Sequence, residues 1–524
     1  MRSLYKISLS ALLIILITSS CRKSFLDRPP LAQITTDNFY KSTSDLRLAT
    51  AALYGGSPWF DWQSFPLLGI GDILSGNIMQ PYNASLVQLT SFSITGDNSQ
   101  IASTWTGMYI LIAQANTVIK AINTQAADSI PAAAKNAALG ELRFIRATAY
   151  FYLAQLWGAV PIIADNSTLI DSSLLPRNLT TDVYKFIIKD LAFAYQNLPA
   201  ADAAGRLTTW SAQGMLAKVY LTRAGLGQSG SRNQSDLDSA KYFAGNVCNT
   251  SGLSLLPSYY NLFRTQYNDS PEDLFALQWA PGVGYGNGND LQAQFAPSSQ
   301  IVPGAGWGGA IGPTVDLYNL YLAKDSIRRK ATFMLKGDYY PELNAAGGGF
   351  TETGDANIKK HIVGTPVDNN SPTMDQWSSI EHNAVLRLGD IYLVYVEAIL
   401  GNNGTTADAE ALTFFNKIRT RAGMDPVTSI DDTTLAKERR IELAFEGQYW
   451  FDLVRLSYYN PQAAVNILNN QVRQQFTYSN GVITPTTSGI IITPATAAVF
   501  TLPIPTVEIT ADPQLLNPPV AYYK

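Results

Sequence analysis

The chain has 524 residues, 46% of them hydrophobic and 15% charged, and its 37 Lys plus Arg nearly balance 41 Asp plus Glu for a formal net charge of -4. Such a composition supplies a large apolar core and argues against a disordered or coiled-coil chain. It also leaves no broad basic field for phosphate backbones or anionic lipid, which argues against nucleic-acid partners.

In chain order, Arg2 and Lys6 precede or flank a nearly continuous apolar run over residues 7–17, and the small residues Thr18, Ser19 and Ser20 lead into Cys21. Positive charge, a short apolar run and small residues in that order predict a secretory signal peptide over residues 1–20. The run is shorter than the roughly 20 residues that span a bilayer, and no later stretch reaches that length. Small residues ahead of a cysteine are similar to the lipobox of bacterial lipoproteins, although Thr18 stands where an aliphatic residue is usual. Cys21 is therefore the candidate lipidation site, the alternative being an incidental cysteine. Acyl chains contribute about 0.8 kcal/mol per buried methylene, so two or more would hold the protein on a membrane without a spanning helix. Residues 21–36, with Pro29 and Pro30, read as an extended, lipidated tether.

Helical periodicity begins near Ser44 and is clearest over 103–123, where Trp105, Met108, Ile112, Ala115, Ile119 and Ile122 recur at spacings of three and four. Residues 137–157 repeat the pattern, which Gly158 and Pro161 terminate. Further helices are predicted over 181–197, 210–223 and 235–249. The second of these carries Ala212, Gly214 and Ala217, small side chains that let two helices approach closely. Helix pairs packed in series follow from this spacing.

From about 252 to 384 Gly, Pro, Asn and Ser become frequent, periodicity fades and a short strand-like piece appears at 274–279. The run GVGYGNG at 282–288 has no strand leading in and no helix following, so it reads as loop and not as a dinucleotide cradle. Helices return over 386–400, 407–422 and 435–456, ahead of a Thr- and Pro-rich segment, 461–524, that reads as extended. The expected architecture is one mainly α domain over 37–524. It comprises a helical-pair scaffold at about 37–250 and 385–460, a large loop-rich insertion at about 252–384, and few short strands. Two independent domains are the alternative.

Two cysteines and two histidines, His361 and His382, argue against disulfides, a Cys/His zinc site and a histidine-based nucleophile triad. Both histidines are expected at the surface or in loops. The densest charged motif holds Glu438, Arg439, Arg440, Glu442 and Glu446, with the glutamates four residues apart on one face. Its interspersed arginines are expected to pair with the carboxylates and keep them ionised, whereas a general acid needs a raised pKa. No Glu-x-x-His motif for a di-metal bundle occurs. Arg143, Arg146, and Arg387 with Glu397 read as bridges between helices. No catalytic residue, metal site or cofactor is assigned. Calcium stays open, because Asp368, Asn369, Asn370 and Asp375 are oxygen-rich but match no fixed motif.

The tryptophans sort by context. Trp105, Trp157, Trp210 and Trp450 fall in helical motifs and are expected in the core, while Trp279 ends a strand and fits either role. Trp59, Trp62, Trp307 and Trp377 lie in Gly-, Pro- or Ser-bearing stretches, as do Tyr82 and Tyr285. A large ring in a loop covers a core edge or binds something. Flat apolar faces surrounded by amides and carboxylates suit the C–H faces of pyranose sugars. The stacking candidates are Trp62, Trp307, Tyr82 and Tyr285, then Trp59 and Trp377.

Segments along nearly the whole mature chain resemble the SusD/RagB family. They are SFLDRPP at 24–30, DNFYKSTSDLRLATAALYG at 37–55, WTGMYILIAQAN from Trp105, and GELRFIRATAYFYLAQLWGAVPII from Gly140. The pattern continues in AVLRLGDIYLVYVEAIL from Ala384, LTFFNKIRTRAGM from Leu412, ERRIELAFEGQYWFDLVR from Glu438 and FTLPIPTVEITADPQLL from Phe500. Gly389 and Ala159 depart from the family's usual alanine and acidic residue. The resemblance implies a tetratricopeptide-like scaffold, lipid-anchored on the outer face of the outer membrane in a Bacteroidetes-type bacterium. Such a protein caps a SusC-like, TonB-dependent transporter as a lid and presents oligosaccharide, or in some members peptide, without turnover. Arg22, Lys23 and Ser24 follow Cys21 where surface-exported lipoproteins often carry acidic residues, so the exterior placement rests on the resemblance. A surface glycoside hydrolase and a helical-repeat scaffold that binds only proteins are the competing readings.

Overall fold

Ser42 opens the first described helix, α1 (Thr43–Ala51), by a reciprocal cap in which its hydroxyl accepts the Asp45 N–H and the Asp45 carboxylate accepts the Ser42 N–H. The computed structural model describes residues 39–486 and 488–523. The expected signal peptide, Cys21 and the tether at 21–36 lie outside them. After α1 come α2 (Ser57–Gln63), α3 (Ser99–Gln125), α4 (Ala132–Trp157), α5 (Thr180–Asn197), α6 (Thr209–Arg223) and α7 (Gln234–Thr250). Each of α3 to α7 packs on the next, so the scaffold is a run of helices in series, mainly α as expected. The second helical block holds α8 (Leu388–Leu400), α9 (Ala409–Arg421), α10 (Asp432–Glu442), α11 (Tyr449–Ser457) and α12 (Pro461–Asn469). It joins the first where α8 lies on α7 and α6. A Cβ on Gly214 would stand 3.2 Å from Leu386 and 3.3 Å from Ile391, so the small residues of α6 set that approach.

The loop-rich insertion is tied at its neck. Strand β1 (Asp273–Leu277) pairs antiparallel with β2 (Asn383–Arg387), from Asp273 opposite Arg387 to Leu277 opposite Asn383, and β2 runs directly into α8. The chain between them leaves and re-enters the scaffold at one ladder.

Two expectations are corrected. Residues 435–456 are not one helix, because α10 ends at Glu442 and α11 begins at Tyr449. In the break Phe445 and Gly447 take φ of 62° and 70°, and a Cβ on Gly447 would fall 2.2 Å from Leu67 Cδ1. The freed backbone groups find side-chain partners, largely from the insertion and its neck. Glu442 O accepts from Tyr259 Oη (2.6 Å) and Arg387 Nη2 (2.9 Å), Ala444 O from Lys360 Nζ (2.6 Å), and Phe445 O from His361 Nε2 (3.0 Å). Gly447 N–H donates to Asp72 Oδ2 at 2.9 Å. The other correction concerns 461–524, which is not wholly extended: Asn460 caps α12 through the Ala463 N–H, and Phe476–Ser479 forms a hairpin with Val482–Pro485.

The carboxylates of the 438–446 segment are structural, but their partners come from other elements and not from the interspersed arginines. Fully buried Glu442 faces Arg387 (3.0 Å), Arg421 and Arg328 (3.3 Å). Glu446 holds Arg387 (2.7 Å) and Lys360 (3.0 Å), and Glu438 holds Arg328 (2.6 Å) and Arg419 (2.8 Å). Arg439 turns instead to Asp390 and Asp452, and Arg440 to Asp316. Arg146 bridges α4 to Asp190 of α5 at 2.7 Å, Arg455 bridges α11 to Glu397 of α8 at 2.7 Å, and Arg143 lies 3.9 Å over the Phe193 ring.

These buried groups set a pH profile of stability. Burial pushes Asp72 and Asp290 up to about 6 from the ordinary 3.8, and burial with the nearby Glu272 pushes Asp273 up to about 7. Each binds its proton more readily in the folded chain, so stability rises as pH falls from about 7 toward 4. Glu442 and Glu397 behave oppositely. Burial alone would raise them, but Arg421, Arg387 and Arg328 around Glu442, and Arg455 and Arg232 around Glu397, hold both down at about 2 from the ordinary 4.5. Their contribution is complete above the unfolded value and lost as pH falls toward 2. Thermal melting should therefore peak at about pH 5 and decline on both sides. Asp290→Asn should flatten the neutral side, and a level profile between about pH 4 and 8 would contradict the assignment.

Candidate functional site

Trp59 and Trp62, selected as loop rings, are core residues. Gly56, Ser57 and Pro58 form the start of α2, with Pro58 in its first turn, so the helix-start residues had the composition of a loop. Trp59 Nε1 donates to Leu53 O at 2.7 Å and its ring meets Phe275. Trp62 is 1% exposed, lying 4.6 Å from Tyr152 and 6.1 Å from Phe451 between ring centroids. Neither offers a face to a ligand. Trp105, Trp157 and Trp450 are buried as expected, Trp210 is partly buried, and Trp279 proves to be core, donating through Nε1 to Asn383 at 2.8 Å.

The other loop rings converge. Tyr285 is 58% exposed and Trp307 37%, with half-buried Trp377 between them. Tyr285 is 5.1 Å from Trp377 and Trp377 is 4.9 Å from Trp307 between centroids. Two rings not singled out from the sequence extend the row: Phe60 of α2 stands edge-on to Tyr285 at 5.1 Å, and Phe65 stacks on Trp307 at 6.5 Å and 15°. The aromatic run WFDWQSF at 59–65 was the available signal for both. Tyr82 is 78% exposed on the turn beyond Met79, which pairs with Gly312, and among the described residues no ring contact joins it to the row.

Cross-loop hydrogen bonds hold the row in place. The Trp307 N–H donates to Ala293 O at 2.8 Å, and the Gly308 N–H to Ala296 O at 2.9 Å. A Cβ on Gly306 or Gly308 would lie 2.2 Å from a carbonyl oxygen of the 295–296 turn, so only glycine lets this loop lie flat on it. Gln376 Nε2 donates to Ala305 O at 2.7 Å, joining the Trp377 loop to the Trp307 loop. Ser379 N–H donates to Asn289 O (2.8 Å) and Gly282 N–H to Ser378 Oγ (2.8 Å), joining the Trp377 loop to the Tyr285 loop. Rings carried on loops braced in this way are pre-organised.

A second candidate is a buried polar cavity of about 30 Å³ at the neck, lined by Gln63, Asp72, His361, Glu381, Asn383 and Glu446 among others. That volume admits a water molecule and no sugar ring. Its histidine, His361, lies in a turn, within the expectation of surface or loop, but is buried there, with Nδ1 2.9 Å from Glu381 and Nε2 3.0 Å from Phe445 O. Half-buried His382 lies 3.2 Å from Asp269.

The oxygen-rich loop at 368–375 uses its groups internally. Asp368 accepts the N–H groups of Asn344, Ala345 and Thr365, and Asn369 Nδ2 donates to Val363 O and Thr365 O. Among the described residues no group of three or more His, Cys, Asp or Glu is placed to hold a metal ion. No helix among them is long and apolar enough to cross a membrane.

The chain is similar to known proteins in sequence and in fold. The sequence profile of the SusD family matches residues 271–522, and a profile described as starch-binding associating with outer membrane matches residues 70–221. A SusD-like protein of Bacteroides ovatus is 38% identical over 459 residues, covering 87% of this chain and 84% of the relative. SusD-like protein P2 of Formosa agariphila is 27% identical over 500 residues, covering 89% and 93%. A crystal structure described as being with xylogluco-oligosaccharide is 35% identical, with a TM-score of 0.85, over 91% of this chain and 99% of that one.

Proposed function

The chain belongs to the SusD family, and from that premise we propose that it binds oligosaccharide at the row formed by Tyr285, Trp377 and Trp307 and releases it unchanged. The observation that carries this reading is the row itself: two exposed rings and a half-buried one between them, carried on three loops joined by hydrogen bonds, at centroid spacings of about 5 Å. Apolar ring faces of this kind take up the C–H faces of sugars, while neighbouring amides such as Asn287 and Gln376 offer donors and acceptors for hydroxyls. Tyr82 is included as a flanking contact. The xylogluco-oligosaccharide of the 35% identical structure supports the ligand class.

In the same proposal Cys21 carries the lipid that holds the protein on the outer membrane, facing the exterior. There it acts as the lid of a SusC-like, TonB-dependent transporter and delivers the bound glycan to it. The profile described as associating with outer membrane supports the location.

The test uses the full-length protein purified in detergent, a panel of oligosaccharides, calorimetry, and chromatography of the sugars after prolonged incubation. Binding with every oligosaccharide recovered at its original length is expected. Shortened products would favour a glycoside hydrolase, and failure to bind any glycan or peptide would favour a scaffold for proteins. Co-purification of a TonB-dependent barrel from the native membrane tests the partner, and cleavable acyl label on the wild type but not on Cys21→Ala tests the anchor.

A further inference from the structure

Charge around the ring row narrows its ligand. No Lys or Arg occurs from Leu48 to Ile119, from Thr265 to Ala323, or from His361 to Leu386, and these three stretches contain every ring of the row. Elsewhere the protein sets cations over aromatic faces freely, as with Arg143 on Phe193, Lys360 on Phe263 and Arg473 on Phe92. Among the described residues no such contact involves Phe60, Phe65, Tyr285, Trp307 or Trp377. Carboxylates stand beside the row. Asp61 follows Phe60 on α2, and Asp375 Oδ1 accepts the Trp377 N–H at 2.8 Å. Burial, then the carboxylates of Asp290 and Asp61, push the Tyr285 hydroxyl up.

Resting on the reading of the row as a glycan platform, we propose that its ligand is an uncharged glycan, and that uronate-bearing or sulfated chains are rejected by the carboxylates that border it. A sulfate or uronate bound here would meet hydroxyls, amides and backbone N–H groups from ring-bearing stretches that hold no Lys or Arg, while Asp61 and Asp375 would repel it. An uncharged chain meets no such cost, and its affinity comes from ring contact and neutral hydrogen bonds, neither of which salt screens.

The experiment compares full-length protein with xylogluco-oligosaccharide and laminarihexaose on one side and an oligogalacturonide and a chondroitin sulfate oligosaccharide on the other, with EDTA present. Calorimetry is run at about 20 mM and about 0.5 M sodium chloride, which move the screening length from well beyond the platform to within it. At least one uncharged glycan should bind with a Kd that changes by less than about twofold between the two salts. Both anionic glycans should bind at least about tenfold more weakly than it at low salt. Asn287→Lys, on the exposed tip beside Tyr285, should gain oligogalacturonide binding that high salt removes. An anionic glycan bound more tightly than every uncharged one, affinity that collapses with salt, or no gain in Asn287→Lys would overturn the inference. If no glycan of either class binds, or if Trp307→Ala leaves the affinity of a bound glycan unchanged, it is the platform reading itself that fails.

Discussion

Glu442→Gln should cost about 3 kcal/mol of stability, the lower end of the range for removing one member of a buried ion pair, since its three cations lose a shared carboxylate but each keeps another. Glu442 is fully buried and faces the guanidinium groups of Arg387, Arg421 and Arg328. Glutamine preserves the shape and one acceptor oxygen but withdraws the charge, leaving the three cations to Glu272, Glu446, Glu438 and Asp325. The damage should spread beyond α10. Arg387 also donates to Glu442 O, and Lys360 and His361 cap the next carbonyls, so the same cluster fastens the insertion to the scaffold. Hydrogen exchange should rise over 252–384 together with the fall in denaturant midpoint. Asp425→Asn, which breaks the exposed pair with Lys324, is the control and should leave the midpoint in place. A Glu442→Gln midpoint that matches the wild type would mean the cluster is ornamental.

Trp307→Ala should weaken oligosaccharide binding by about 30-fold or more, equivalent to about 2 kcal/mol or above, as expected for a central aromatic anchor. Its ring touches Phe65 and Trp377, and its loop is held by backbone hydrogen bonds that alanine keeps. The melting temperature should therefore stay close to that of the wild type. Trp62→Ala should do the reverse and remove about 3–5 kcal/mol of stability, since that ring fills the core between Tyr152 and Phe451. Should Trp307→Ala melt early and bind normally, the ring row would be a structural cover and the platform would have to be sought elsewhere.

The contrast between these two tryptophans shows where reading by composition succeeds. Both sit among Gly, Pro and Ser, yet in one stretch those residues begin a helix and in the other they form a loop. Turn-forming residues flank both rings, and only the packing of Trp62 against Tyr152 and Phe451 tells them apart. The break between α10 and α11 was hidden for a related reason. Apolar spacing runs through Leu443 and Ala444, and nothing nearby reveals that Leu67 will press against Gly447 or that Lys360 and His361 will arrive to take the carbonyls.

What the residues determined alone was the helical scaffold, because a stripe of apolar side chains every three or four positions is a property of the segment itself. The family was legible for the same reason, its motifs lying largely in those helices. Tertiary structure decided which rings face solvent, which cations answer Glu442, and that residues 285, 307 and 377 become neighbours. Each of those outcomes joins groups far apart in the chain, so its free energy resides in contacts that no single segment contains.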